Sequence, residues 1–202
     1  DVAFLTTLAG YVHWRLTGKK VLGIGDAAGM FPTIGNEYDK EKLAIFNGLL
    51  AKHNVDKKLE NLLPTPLMAG EGAGTLTAEG ALLLDATGTL KAGAIMCPPE
   101  GDAGTGMVAT NAVKPRTGNV SAGTSAFAMV VLEKPLSKVS TEIDVVATPS
   151  GNTVAMVHAN NFTSEINAWT NLFYEVIKLA GGDVNKGKLF DMLYEVSLKS
   201  DN

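Results

Sequence analysis

Apolar side chains recur every three to four residues at the start of the chain, the spacing of one face of a helix. They predict a helix over residues 2–16 that ends at Thr17-Gly18, because glycine is the usual residue just after a helix end. Residues 19–38 then contain four glycines and Pro32. That composition predicts a loop with at most a short strand at residues 20–22.

Caps, prolines and apolar runs predict the remaining elements. In chain order these are a helix after Asp39, an extended segment at 62–66, a helix over 78–86 capped by Thr77, a buried strand at 94–97, a hairpin of strands 119–121 and 126–132, a strand at 152–158, a helix capped by Thr163, and a helix marked by Leu189, Leu193 and Val196. The apolar face that we expect the Thr163 helix to bury is Ile166, Trp169, Phe173, Val176 and Ala180. The change from helices to strands predicts an α/β protein with two domains, residues 1–113 and 114–202.

Composition excludes several classes of protein. Of 202 residues, 46% are apolar and 19% charged, which is typical of globular chains and unlike disordered ones. A net charge of −4 with dispersed Lys and Arg argues against a nucleic-acid partner, and no apolar run is long enough to predict a membrane span. The single Cys97 and the lack of a secretory signal predict a cytoplasmic protein.

The ends of the sequence suggest a larger parent. The chain opens on Asp1 rather than Met, and both ends fall within or directly against predicted helices. We therefore expect a piece of a protein about twice this length or more.

Residues Gly23 to Ala28 match the dinucleotide-binding pattern G-x-G-x-x-A. Only about three strand residues precede the motif, and Pro32 falls where the helix that the motif requires should continue. A glycine-rich loop is the favoured interpretation, and a nucleotide-dependent oxidoreductase is a minor alternative.

Asp102 lies between glycines directly after the predicted strand at 94–97. Glycines on both sides allow another molecule to approach the backbone closely, which suits a functional carboxylate. Asp102 could equally be the N-cap of a helix running to Val113, and the two roles are compatible.

Gly123-Thr124-Ser125 separates the two strands of the predicted hairpin. A turn of this composition can curl its backbone N–H groups around an anion. An ordinary hairpin turn explains the same residues, and by themselves they favour it. The three histidines share no metal-ligand spacing with Cys97, so we predict no metal site within the chain.

Taken together, the motifs resemble the FGGY family of carbohydrate kinases. The matching segments are Tyr11–Gly18 (YVHWRLTG), Asp26–Gly29, Leu63-Pro64, Gly74–Ala81, Gly101–Gly106 and Ser121–Ser125. The resemblance implies an actin-like ATPase (ribonuclease H-like) fold, with residues 1–113 from the end of a sugar-binding domain and residues 114–202 from the start of an ATP-binding domain. In that family the active site lies in the cleft between the two domains.

The resemblance also implies an activity and the residues that perform it. The family transfers the γ-phosphoryl group of MgATP to a hydroxyl of a sugar, ketose or polyol. Asp102 would be the catalytic base, Glu100 and Asp102 would contact the sugar, and Gly123, Thr124 and Ser125 would contact ATP. The implied partners are ATP, Mg²⁺ and a small sugar, with neither nucleic acid nor membrane, and a homodimer is left open.

Three departures from the family pattern affect these expectations. The family's N-terminal Asp-Gly-Thr hairpin and its C-terminal adenosine segment are not in this sequence, which agrees with the expectation of a larger parent. Pro98-Pro99-Glu100 replaces the usual glycine-rich approach to Gly101, so the sugar specificity stays open. A non-catalytic sugar- or nucleotide-binding regulatory protein on the same scaffold is the alternative function.

Overall fold

The computed structural model describes residues 2–199, and its elements are numbered in chain order. The helices are α1 (Leu8–Thr17), α2 (Ile24–Met30), α3 (Lys40–Lys52), α4 (Ala78–Leu84), α5 (Asp102–Ala109), α6 (Thr163–Leu179) and α7 (Lys186–Lys199). The strands are β1 (Val21–Gly23), β2 (Thr33–Ile34), β3 (Glu37–Tyr38), β4 (Thr65–Leu67), β5 (Gly118–Ala122), β6 (Ala126–Val131), β7 (Asp144–Ala147) and β8 (Thr153–Ala159). Within the described residues no helix is both long and apolar enough to cross a bilayer.

The chain forms two compact units. One comprises the chain up to Asn119 together with Ala128–Val157, and the other comprises Val120–Phe127 with the chain from His158 onward. Strands β5, β6 and β8 each run from one unit into the other, so the units do not part at one point of the sequence. The boundary at residue 114 stays a prediction.

The first unit is built around the β1–α2 connection. β1 pairs in parallel with β4, and α2 begins at once after Gly23. Leu22 and Ile24 are fully buried on either side of that glycine. Ile24 packs with Ala28 and with Ala147 of β7, so the short helix is fixed to the core along its length.

A second sheet follows the strand order β5-β6-β8-β7. β7 and β8 are antiparallel, with Asp144 opposite Met156 and Ala147 opposite Thr153. Val131 on β6 and Val154 on β8 are almost completely buried. The hairpin predicted for residues 119–132 and the strand predicted at 152–158 are confirmed, while β7 carried no pattern that predicted it.

Local capping signals predicted helix ends well. Asp39 caps α3 by accepting the N–H groups of Glu41 and Lys42, and Thr77 caps α4 by accepting that of Gly80. Gly18 ends α1 with a φ of 72°, a conformation that favours glycine.

The predicted start of the first helix is wrong. α1 begins at Leu8 rather than residue 2, because the Thr7 side chain accepts the Gly10 N–H and caps the helix there. The predicted loop over residues 19–38 is also wrong, since α2 and the β2–β3 hairpin lie within it. Burial of Ile24, Ala27 and Ala28 against the core overrides the low helix propensity of the neighbouring glycines.

The segment 94–97 is not the buried strand that we predicted. Backbone hydrogen bonds join residues 93–96 to residues 73–76 around an isolated bridge between Thr75 and Ile95, but the Ile95 side chain is 83% exposed. The Gly93 N–H continues this pairing to the Leu76 carbonyl at 2.9 Å, and Pro98, which has no N–H, follows the segment on the other side. Only Met96 packs inward, against Leu16 and its neighbours.

The helix predicted after Thr163 forms, but its details differ. Thr163 is the first helical residue rather than the cap, and the N-cap Phe162 makes no side-chain capping bond. Trp169, Phe173 and Val176 are 43–56% exposed, so the predicted burial of this face is wrong for the described chain. Gly181, with a φ of 81°, ends the helix region as expected.

We predict opposite effects for two Gly→Ala substitutions within helices. A Cβ at Gly80 of α4 would overlap the backbone oxygen of Leu16 and lie 2.8 Å from its Cα, so Gly80→Ala should lower the free energy of unfolding by about 1–3 kcal/mol. Gly48 of α3 has open space around it, so Gly48→Ala should raise the free energy by about 0.5–1 kcal/mol. Urea unfolding of the two variants measures both values, and equal effects would contradict the assigned packing of α1 on α4.

Candidate functional site

Asp102 is the first residue of α5, and its side chain is exposed. Gly101 occupies the N-cap position in an extended conformation and makes no side-chain cap. The Asp102 carbonyl accepts a hydrogen bond from the Thr105 hydroxyl at 3.0 Å. Because Gly101 is the N-cap of α5, the interpretation of Asp102 as an N-cap is wrong, and its carboxylate is presented to solvent at the beginning of the helix.

Glu100, two residues before Asp102, lies in a different environment. Its Oε1 accepts the Gly25 N–H at 3.0 Å and its Oε2 accepts the Asp26 N–H at 2.8 Å. These are N–H groups of the first turn of α2, which have no partner within the helix. The Glu100 carboxylate therefore caps α2 from a position 75 residues further along the chain.

Burial raises the pKa of Glu100 above its ordinary value of 4.5. The two backbone N–H groups act in the opposite direction, and the neighbouring Asp26 carboxylate adds to the increase. A carboxyl whose pKa is higher in the folded state stabilises the fold most below its ordinary pKa, and this contribution is lost as the pH rises through the folded-state value. Burial therefore disfavours the ionised form of the Glu100 carboxyl, and the two backbone hydrogen bonds favour it.

The glycines of the G-x-G-x-x-A motif make room for this carboxylate. A Cβ at Gly23 would overlap the Glu100 carboxyl group, and one at Gly25 would lie 2.8 Å from Glu100 Oε2. The motif is a strand-to-helix turn, as in a dinucleotide site, but the N–H groups of Gly25 and Asp26 already donate to a carboxylate of the same chain. These N–H groups are therefore already used and cannot bind the pyrophosphate that the oxidoreductase alternative requires.

Asp26 completes this cluster and was given no role by the sequence. Its Oδ2 accepts the Thr7 hydroxyl at 2.6 Å. Its Oδ1 faces Gly101, where an added Cβ would lie 3.2 Å away. In the sequence, Asp26 follows Gly25 in the motif and opens the segment Asp26–Gly29 that is similar to the FGGY family.

The Gly123-Thr124-Ser125 turn belongs to the other unit and is described by itself. The Gly123 N–H donates to the Ser125 carbonyl at 2.8 Å. The carbonyls of Gly123 and Thr124 accept the N–H groups of Thr163 and Phe162 at 3.3 and 3.1 Å. The turn is thereby tied to the start of α6, while Gly123 and Thr124 remain exposed.

The predicted site residues thus form two groups. Glu100 lies beside Asp26 in the first unit, with Asp102 two residues further along, and Gly123, Thr124 and Ser125 form a turn in the second. In the described part of the chain, no three His, Cys, Asp or Glu side chains form a group that could hold a metal ion. His13, which is buried, has its Nε2 2.9 Å from the Ala73 carbonyl and is explained by packing.

One family model matches part of the chain. Residues 118–200 match the model of the C-terminal domain of the FGGY family of carbohydrate kinases. A search of curated proteins finds no significant match.

Several solved structures share the fold. A xyloylose kinase from Brucella ovis aligns with a TM-score of 0.62 and 20% identity, over 89% of this chain and 34% of its own. A xylulose kinase from Bifidobacterium adolescentis aligns with a TM-score of 0.64 and 18% identity, over 98% and 39%. A gluconate kinase from Lactobacillus acidophilus aligns with a TM-score of 0.59 and 18% identity, over 80% and 30%. The chain therefore has the actin-like α/β fold expected from its sequence, and it spans about a third of the length of these structures.

Proposed function

We propose that this chain is part of an enzyme of the FGGY family of carbohydrate kinases, which phosphorylates a sugar hydroxyl with ATP. The observation that carries the proposal is Asp102, an exposed carboxylate at the start of a helix, flanked by glycine and held next to a buried capping cluster. Such a group is accessible to a substrate hydroxyl while its backbone is fixed.

In the proposed reaction, Asp102 accepts the proton of the sugar hydroxyl while the hydroxyl oxygen bonds to the γ-phosphorus of ATP. The bond from that phosphorus to the bridging oxygen breaks, and ADP leaves. Phosphoryl transfer asks the protein mainly for positioning and charge stabilisation. An ionised carboxylate next to the hydroxyl meets the first requirement and supplies the base.

The second group of residues is proposed to hold the nucleotide. Gly123, Thr124 and Ser125 lie in an exposed turn whose carbonyls are fixed by the first N–H groups of α6. A turn held in this way can offer backbone N–H and hydroxyl groups to the ATP phosphates. Mg²⁺ would arrive with those phosphates, since proteins usually bind it through few side chains and the substrate phosphates.

The sugar is proposed to be a pentulose or a related ketose or polyol. The support is that several structures sharing the fold are named xylulose kinases. The cytoplasm is the proposed location, because Cys97 is a free exposed thiol of the kind that a reducing compartment preserves.

The proposal is tested with the complete encoded protein, MgATP and a panel of pentuloses, hexuloses and polyols. We expect ADP release that depends on one class of sugar, measured by a coupled assay, with a sugar phosphate detected by mass spectrometry. Sugar or nucleotide binding by calorimetry without any turnover would support the regulatory alternative. Absence of both binding and turnover across the panel would overturn the proposal.

A further inference from the structure

Three consecutive residues before Asp102 contact the β1–α2 turn. The Pro99 carbonyl accepts the Gly23 N–H at 2.7 Å, and the Glu100 carboxylate accepts the N–H groups of Gly25 and Asp26. Gly101 then lies against the Asp26 side chain. The segment that leads into Asp102 is therefore held by hydrogen bonds at Pro99 and Glu100, and Gly101 lies close to the Asp26 carboxylate.

The surface that holds these residues is itself rigid. Ile24 and Ala27 are fully buried, and Ile24 and Ala28 pack against Ala147. Asp26 is fixed in turn by the Thr7 hydroxyl. A displacement of Glu100 would therefore move the start of α5 relative to a platform that cannot follow it.

The Glu100 carboxylate is enclosed on several sides and both of its oxygens have backbone donors. Added Cβ atoms at Gly25 and Gly104 would lie 2.8 and 3.3 Å from its Oε2. By contrast, the Asp102 side chain is exposed. The two carboxylates, although only two residues apart, are thus suited to different tasks.

We propose that Glu100 is a positioning residue that fixes Asp102 for proton transfer by capping α2, and that it does not contact the sugar. This inference rests on the proposed function. Hydrogen bonds between a carboxylate and backbone N–H groups are among the stronger ones in proteins, so Glu100 can define the position of the α5 start closely. A displacement of about 1 Å at a reacting group can lower a rate by about 100-fold.

The test compares Glu100→Gln with Gly25→Ala in the complete protein. The glutamine offers one acceptor and places its NH₂ group against the other backbone N–H, and the alanine methyl pushes an intact Glu100 away. Both variants should lower kcat about tenfold or more and leave the sugar Kd, measured by calorimetry without ATP, within about twofold. Gly29→Ala, in the same helix with open space around it, is the matched control and should keep the parental kcat.

The pattern across variants separates the two roles of Glu100. If Glu100 contacts the sugar, Glu100→Gln will raise the sugar Kd, and Gly25→Ala will raise it as well because it displaces the same carboxylate; an increase beyond twofold would overturn the inference. A parental kcat in Glu100→Gln would also overturn it. A parental kcat in Asp102→Asn would instead show that Asp102 is not the base, whereas absence of sugar-dependent turnover in the parental protein would refute the proposed function.

A measurement without substrate tests the physical link directly. Hydrogen exchange of sugar-free protein should be faster in Glu100→Gln for peptides covering both the start of α2 and residues 99–109, because the contact that joins them is lost. Faster exchange confined to α2 would show that Glu100 does not hold Asp102. If Glu100→Gln is too unstable to be studied, the same exchange measurement can be made on Gly25→Ala.

Discussion

Asp102→Asn should lower sugar phosphorylation by about 10²–10⁴-fold in the complete protein, the contribution typical of a general base. The amide is nearly the same size as the carboxylate but cannot take the proton of the attacking hydroxyl. Because Asp102 is not the N-cap of α5 and its side chain is exposed, little of the fold depends on it. Loss of its charge at the beginning of the helix should change the free energy of unfolding by about 0.3–1 kcal/mol.

The measurement pairs steady-state turnover with sugar affinity and urea unfolding. The sugar Kd should change far less than kcat, since the amide can still hydrogen-bond the acceptor hydroxyl. Asp191→Asn, an exposed aspartate within α7, is the control for charge removal and should retain parental turnover. A folded Asp102→Asn protein with the parental rate would show that Asp102 is not the base.

The features that sequence predicted well are those that depend on residues close together in the chain. The Asp39 and Thr77 side chains accept N–H groups that lie two to three residues further along the chain, and Gly18 ends the helix that directly precedes it. Each of these contacts is completed within one turn. Their chemistry is therefore visible in a short stretch of sequence.

The capping of α2 could not be predicted in this way. Glu100 and Gly25 are separated by 75 residues, and no periodic pattern connects them. Without that contact, a glycine-rich segment ending near Pro32 looks like a loop. The helix forms because its apolar residues enter the core and its first N–H groups receive a distant carboxylate, and both are tertiary effects.

Apolar periodicity also predicts a face without showing what covers it. The spacing of Trp169, Phe173 and Val176 correctly indicated a helix, yet these side chains are substantially exposed in the described chain. Similarly, the apolar run at 94–97 predicted burial, although Ile95 points outward. Hydrophobicity identified candidate surfaces, and packing decided which of them entered the core.

Gly123→Val should weaken ATP binding about tenfold or more, a change of about 1.4 kcal/mol, while sugar binding is retained. The structure limits which physical effect of the valine can weaken ATP binding. Gly123 does not have a positive φ, so backbone strain plays no part, and an added Cβ would meet only the Ser125 carbonyl at 3.8 Å. The fold should therefore tolerate the side chain.

The effect on ATP binding would instead come from the exposed side of the turn. The Gly123 carbonyl accepts a hydrogen bond from the Thr163 N–H. The turn therefore cannot easily move aside when a valine side chain occupies the space proposed for the phosphates. Calorimetric titration with MgATP measures the loss, and Gly123→Ala should show a smaller one because its side chain is shorter. An unchanged ATP Kd in Gly123→Val would mean that these residues form only a hairpin turn, and the phosphates would have to be bound elsewhere.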